Sequence, residues 1–212
     1  MGERRMSASE RRTQLVEVAK RVFAEYGYDG ASVEEIASRA KVSKPIVYEH
    51  FGGKEGLYAV VVDRETARLL EMITSRLGPG LGGREQIHSS AMAFLDYIEA
   101  DPDGFRVLIR DSPTGVGSGG MAGLLSDVAA KAEEVLTGFF AESGIDLAAA
   151  PLYAHALVGM VVYVGAWWSE EHELPKEVVA AHLTALTYLG LSRLPRDPLR
   201  LVNTRRARPR GA

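Results

Sequence analysis

Lys44, Tyr48, His50 and Lys54 lie close together in the chain and offer two ammonium groups, a phenol and an imidazole. Such groups grip phosphate oxygens by charge and hydrogen bonds. Ser43 and Lys44 at a helix start would add free backbone N–H groups, a ready site for an anion. Between them and Tyr48, Pro45 and Ile46 are apolar groups of the kind that touch base edges or thymine methyls. Ser32 opens the same stretch as an expected N-cap, with Glu35 three residues on completing a capping box.

Those residues need two short helices to hold them. From Ala31 to Leu57, Ile36, Ala37 and Ala40 make one apolar face, Val42 falls in a tight turn, and Ser43 is the second N-cap. In the next helix Val47 and Phe51 share a face, leaving Lys44, Pro45, Tyr48 and Glu49 to point elsewhere. This is the layout of a helix-turn-helix, whose second helix enters the DNA major groove. A small structural helical unit with a solvated face is the competing reading. Upstream, Leu15, Val18, Ala19, Val22, Phe23 and Tyr26 predict an amphipathic helix over 11–26, ended by Gly27.

The run Ser32, Ile36-Ala37, Ala40-Lys41-Val42-Ser43, Tyr48-Glu49-His50-Phe51 and Lys54-Glu55-Gly56-Leu57 resembles the DNA-binding domain of the tetracycline-repressor family. The match covers residues 11 to 60. It implies a homodimer on a palindromic operator, with Ser32, Ser43, Lys44, Pro45, Ile46, Tyr48, His50 and Lys54 facing DNA, and a C-terminal domain that takes a small effector. Two residues depart from the family pattern. Lys41 replaces the turn glycine, so either it adopts a left-handed conformation at some cost or the turn is altered. Ile46 stands where small or polar residues are usual, favouring apolar contact with thymine.

The net charge of −3 looks wrong for a DNA binder until it is divided along the chain. Residues 1–60 hold 10 Lys/Arg against 9 Asp/Glu, residues 61–192 hold 8 against 18, and residues 193–212 hold 7 against 1. An electrostatic footprint depends on the local balance. Arg4, Arg5, Arg11 and Arg12 form a basic arm that either crosses the backbone or is simply solvated. There is no cysteine, which excludes disulfides and thiolate metal sites. The N-terminus lacks a signal-type apolar stretch and no run approaches a membrane span, so a cytoplasmic location is expected.

Beyond Leu57 the pattern is helical throughout, at about 54–77, 84–100, 103–111, 120–143, 148–171 and 176–193, so the expected fold is all-α. The Gly78–Gly83 cluster is the sharpest break. Expected domains are 1–60 (helix-turn-helix), 61–193 (ligand binding and dimerisation) and 194–212 (a disordered basic tail), with helix 54–77 spanning the first two. Gly115 to Gly120 spells GxGxxG but lacks a preceding strand, so it reads as a loop. The five histidines show no metal-ligand spacing, and Asp96, Glu99, Asp101 and Asp103 have no evident catalytic partner. No cofactor or metal is expected.

A helix apolar nearly all round, as 148–171 is, must be buried on several sides. Paired with 176–193 it fits the four-helix dimer interface that the resemblance implies. An apolar effector cavity would draw on Phe94, Tyr97, Ile98, Phe105, Leu108, Met121, Leu124, Leu125, Phe139, Met160, Tyr163 and Trp167. The stretches DYIEADPDGFRVLI and LVGMVVYVGAWW are similar to actinobacterial regulators of fatty-acid synthesis, which implies a fatty acid or long-chain acyl-CoA as effector. The expected function is a ligand-released repressor. The alternatives are an all-α enzyme on an apolar substrate and an effector-independent activator or architectural protein.

Overall fold

The computed structural model describes residues 6–77, 80–109, 121–171, 173–199 and 201. They form α1 Ala8–Gly30, α2 Val33–Ala40, α3 Lys44–Phe51, α4 Lys54–Thr74, α5 Gly83–Ala100, α6 Pro102–Ile109, α7 Met121–Ser143, α8 Ala150–Glu171 and α9 Lys176–Ser192. No strand occurs among the described residues. Arg4, Arg5, the GxGxxG stretch and most of the basic tail lie outside them.

Helix α1 begins earlier than the apolar spacing suggests. Ser7 and Glu10 form a reciprocal capping box, with Glu10 N–H donating to Ser7 Oγ at 3.2 Å and Ser7 N–H to Glu10 Oε2 at 2.7 Å. Its regular path breaks at Gly27, as expected, where φ is 72°. At α2 only half of the anticipated box forms. Ser32 Oγ accepts from Glu35 N–H at 3.1 Å, but the Glu35 carboxylate instead takes Arg39 Nε at 2.6 Å. An ion pair one helical turn away outcompetes the bond back to the cap.

The tight turn after α2 keeps its left-handed residue. Lys41 sits at φ 56°, ψ 44°, and its N–H closes on the carbonyls of Ala37 and Ser38. For a residue with a Cβ this conformation costs roughly 1–2 kcal/mol.

Leu15, Ala19, Val22 and Phe23 of α1 meet Ile36 and Ala40 of α2, Val47 of α3, and Leu57, Tyr58 and Val61 of α4. Tyr58 meets the rings of Phe23 and Tyr28 edge-on, both at 5.0 Å. The same core runs without interruption into Phe94, Tyr97, Ile98, Phe105 and Leu108, because α1 packs on α6 as well as on α4. A second core joins α7 and α8 through Leu136, Phe140, Ile145, Ala154 and Val158.

Pro151 sits in the first turn of α8, where a missing N–H costs nothing. One expectation about this helix needs correction. The segment Leu147–Glu171 is long and apolar enough, by length and composition, to cross a membrane, contrary to the reading that no run approaches a span. Most of it is not buried within the chain.

Candidate functional site

The recognition-helix candidate is α3. Val47 is fully buried and Phe51 nearly so, and these two anchor the helix. Lys44, Pro45, Tyr48 and Glu49 are exposed, with Tyr48 at 54 %, while His50 and Ile46 are half-buried. Ile46 packs against the core, which leaves only part of it for a base contact. Ser43 is the N-cap but makes no side-chain cap bond. Ser32 is half-buried and its oxygen is already engaged as the cap of α2. Lys44 forms an ion pair with Glu34 on α2.

Lys54 departs most from its expected place. Its ammonium donates to the carbonyls of Tyr28 at 2.9 Å and Ala31 at 3.1 Å and lies 4.4 Å from the Tyr28 ring centroid. It ties the start of α4 to the α1–α2 connection. Arg12 stacks over Phe51 at 4.6 Å, bringing the basic start of α1 beside the end of α3.

The second feature is an apolar cavity of about 320 Å³ lined by residues of α4 to α9 and partly open to solvent. Phe94, Phe105, Leu108, Leu125 and Phe139 line it, all anticipated from sequence. Leu69 and Ile73 of α4, Val128 and Leu136 of α7, Val158 and Val161 of α8 and Leu183 of α9 join them and were missed. Tyr97 and Ile98 do not line it; both are fully buried, Tyr97 with its hydroxyl on Glu65 of α4 and Ile98 with its Cδ1 toward Gly165 of α8. Met160 packs half-buried against the core. Tyr163, 79 % exposed, and Trp167, 44 % exposed, lie on the outer face of α8, about half a turn from the cavity wall. Met121 belongs to α7, but its side chain and that of Leu124 lie outside the described residues.

Between cavity and recognition unit sits a buried cluster of charge. Lys20 of α1 donates to Asp101 Oδ2 at 2.6 Å and Glu65 Oε1 at 3.2 Å, and pairs with Glu17 at 3.2 Å. Arg68 of α4 pairs with Asp101. Tyr97 donates its O–H to Glu65 Oε2 at 3.0 Å. Asp101 also accepts the N–H of Gly104 at 2.9 Å. Lys20 and Glu65 are almost fully buried. Burial alone would lower the Lys20 ammonium's pKa, but the hydrogen bond to Asp101 and the fields of Glu65 and Asp101 outweigh it and hold the pKa above its ordinary value. Burial would likewise raise Asp101, and the bonds from Lys20 and the Gly104 N–H hold it lower instead. Burial and the Glu65 carboxylate push the Tyr97 phenol far upward.

These shifts have a pH consequence. With a folded pKa below the ordinary 3.8, Asp101 contributes stability that is fully present above that value and is lost as pH falls through the lowered one. Asp101→Asn will therefore flatten the decline in Tm below about pH 4, read by thermal melts across an acid series. An acid slope equal to that of the wild type would contradict the assignment.

The other carboxylates that resemble a catalytic group are likewise paired. Asp96 meets Arg76 at 2.6 Å and Lys176 at 2.7 Å, Lys176 also holds Glu99 at 2.5 Å, and Asp103 meets Arg106 at 3.4 Å. Among the described residues no group of histidines and carboxylates is placed to hold a metal ion.

A helix-turn-helix with an exposed polar second helix, joined by a shared helix to an all-α unit with an apolar cavity, defines a ligand-responsive DNA-binding regulator of transcription. The family model for bacterial regulatory proteins of the tetR family matches residues 15–61, and that for the tetracyclin repressor-like C-terminal domain matches residues 72–197. The chain belongs to the TetR family.

It is 30 % identical over 193 residues to the HTH-type transcriptional activator FasR of Mycolicibacterium smegmatis, covering 90 % of this chain and 87 % of that one. Among solved structures, a TetR-like transcriptional regulator from Rhodococcus sp. RHA1 is 26 % identical with a TM-score of 0.73, covering 89 % of this chain and all of the other. The fatty acid degradation regulator FadR from Bacillus halodurans shares the fold at 21 % identity and a TM-score of 0.69, covering 86 % and 99 %.

Proposed function

We propose that this regulator binds a palindromic operator as a dimer formed through α8 and α9, and leaves it when an elongated acyl chain, as a fatty acid or acyl-CoA, fills the cavity. The observation that carries the effector class is the cavity wall, which is almost wholly aliphatic and aromatic. The structural neighbour FadR, a fatty acid degradation regulator, favours the same class. Release would relieve repression where the operator overlaps a promoter, and withdraw activation where it lies upstream. The first sense is the expected repressor; the relative FasR is an activator.

The dimer assignment rests on side chains left uncovered. Leu152, Tyr163 and Trp167 of α8, with Val178, Leu186 and Leu189 of α9, are exposed apolar side chains that a second copy would bury. The same burial accounts for a span-length apolar helix in a regulator, and the family's working place is the cytoplasm. Leu186→Asp should convert the dimer to monomer in sedimentation at micromolar concentration; an unchanged dimer would move the interface elsewhere.

In the DNA-bound state the two α3 helices would sit about one helical turn of DNA apart, roughly 34–36 Å. An effector releases DNA only to the extent that it prefers a different spacing. Ser43, Lys44 and His50 would hold phosphates, Pro45 and Ile46 base edges, and Tyr48 the backbone. Tyr48→Ala should weaken operator binding by about 1–3 kcal/mol with unchanged helicity. Loss of helicity would make Tyr48 structural.

The deciding experiment is fluorescence anisotropy with DNA from upstream of the protein's own gene, over a range of salt, followed by titration with palmitoyl-CoA. Preference over scrambled DNA, a negative slope of log K against log salt, and release by palmitoyl-CoA support the reading. Binding no tighter than to scrambled DNA in protein shown to be ligand-free, or turnover of the ligand, would sink it.

A further inference from the structure

We propose that the buried cluster of Lys20, Glu65, Asp101, Arg68 and Tyr97 is the coupling joint through which the cavity sets the position of the recognition helix; this rests on the ligand-release reading above.

The cluster has a place and a composition that plain packing does not require. Lys20 lies on α1, which carries the helix-turn-helix. Glu65 and Arg68 lie on α4, the helix common to both parts, and Tyr97 and Asp101 lie at the end of α5. Lys20 therefore holds α1 to α4 and to the α5–α6 corner with one ammonium. Buried ion pairs are weak contributors to stability but strict about geometry, since each charge tolerates few alternative partners. A joint of that kind moves as a unit or breaks.

On its other side the joint touches the cavity wall. Asp101 caps the start of α6 through the Gly104 N–H, and the next residue, Phe105, lines the cavity, as do Leu108 and Ile109. Position 104 has no room for a side chain. A Cβ there would stand 2.6 Å from Glu65 Oε2, 2.8 Å from the Tyr97 hydroxyl and 3.1 Å from Asp101 Cγ. A ligand that displaces Phe105 along α6 thus presses on the joint within one residue, and the joint passes the shift to α1 and α4 together.

The test uses the full-length dimer and the fragment and palmitoyl-CoA assay above. Lys20→Met combined with Glu65→Leu replaces the charged pair by apolar side chains, and Val22→Ala is a control for general destabilisation. Wild-type operator Kd should rise at least tenfold on adding palmitoyl-CoA, within the usual range of allosteric coupling. The double variant should bind DNA and palmitoyl-CoA separately with constants within about threefold of wild type, while the operator shift falls below twofold. Val22→Ala should keep the full shift. A folded double variant with the full shift overturns the joint and leaves the ligand-release reading standing. A wild-type protein that binds palmitoyl-CoA with no change in operator Kd overturns both. Gly104→Ala tests the joint with no ligand at all, because it wedges the cluster from the α6 side while sparing α3. Operator Kd should change at least fivefold in a dimer of normal helicity, and an unchanged Kd overturns the proposal.

Discussion

Gly56→Ala will abolish operator binding at protein concentrations that saturate the wild type. The start of α4 runs against the end of α3 so closely that a Cβ on residue 56 would stand 2.0 Å from the carbonyl oxygen of Phe51 and 3.2 Å from its carbon. The opposing atom is backbone, so no rotamer change can relieve the clash. Either α4 retreats or the end of α3 moves, and α3 carries Tyr48 and His50. Overpacking of this sort costs roughly 1–3 kcal/mol in stability. The larger effect falls on DNA. Displacing the recognition helix forfeits contacts of about 1–3 kcal/mol each, so losing two or three lowers affinity by roughly 100-fold or more. Glu55→Ala, one residue earlier and exposed, is the control. Anisotropy of both variants against the same fragment decides the matter, and wild-type affinity in Gly56→Ala would show that α3 does not meet DNA in this position.

Phe105→Ala is expected to have the largest effect on stability. The ring is almost fully buried, meets Phe94 edge-on at 5.7 Å and forms part of the cavity wall. Truncating such a group costs about 3–5 kcal/mol. For a chain of this length, at fixed protein concentration, that lowers Tm by roughly 6–20 °C. The enlarged cavity is lined by apolar groups and stays dry. A long acyl chain can occupy the space, so palmitoyl-CoA should raise the Tm of Phe105→Ala by more than it raises that of the wild type. Differential scanning fluorimetry with and without palmitoyl-CoA reads both effects. An equal ligand-induced rise in the two proteins would place the acyl chain away from Phe105.

The helix-turn-helix is legible in sequence because every signal for it is local. Ser32 as a cap, Ala37 and Ala40 against Val47, and the left-handed residue at Lys41 lie within a few turns of one another. Lys54 shows where that logic stops. Its neighbours mark it as a phosphate contact, yet the carbonyls that hold it belong to residues 23 and 26 positions earlier. The coupling cluster is less legible still. Lys20 meets Glu65 and Asp101 across 45 and 81 residues, and nothing near Lys20 separates it from a solvated surface lysine. The cavity was half visible for a different reason. In α6 apolar and polar residues alternate with the helical period, so Phe105 and Leu108 declare their direction; in α5 Phe94, Tyr97 and Ile98 are all buried, and their spacing does not say which of them faces the cavity. Helix α8 is apolar on all sides, and periodicity cannot then tell a wall residue such as Val161 from an outward one such as Tyr163.

That two-faced helix bears on how such a protein diversifies after gene duplication. In α8 the residues that shape the cavity, Leu157, Val158, Val161 and Val162, lie about half a turn from Leu152, Tyr163 and Trp167. Changes on the inner stripe retune which molecule is sensed without touching the outer one. Changes on the outer stripe, the proposed dimer seam, would alter which subunits recognise each other and leave sensing intact. Duplicated copies can thus acquire new signals first and pairing barriers later, so a cell holding many such paralogues need not mix their subunits while their specificities drift apart.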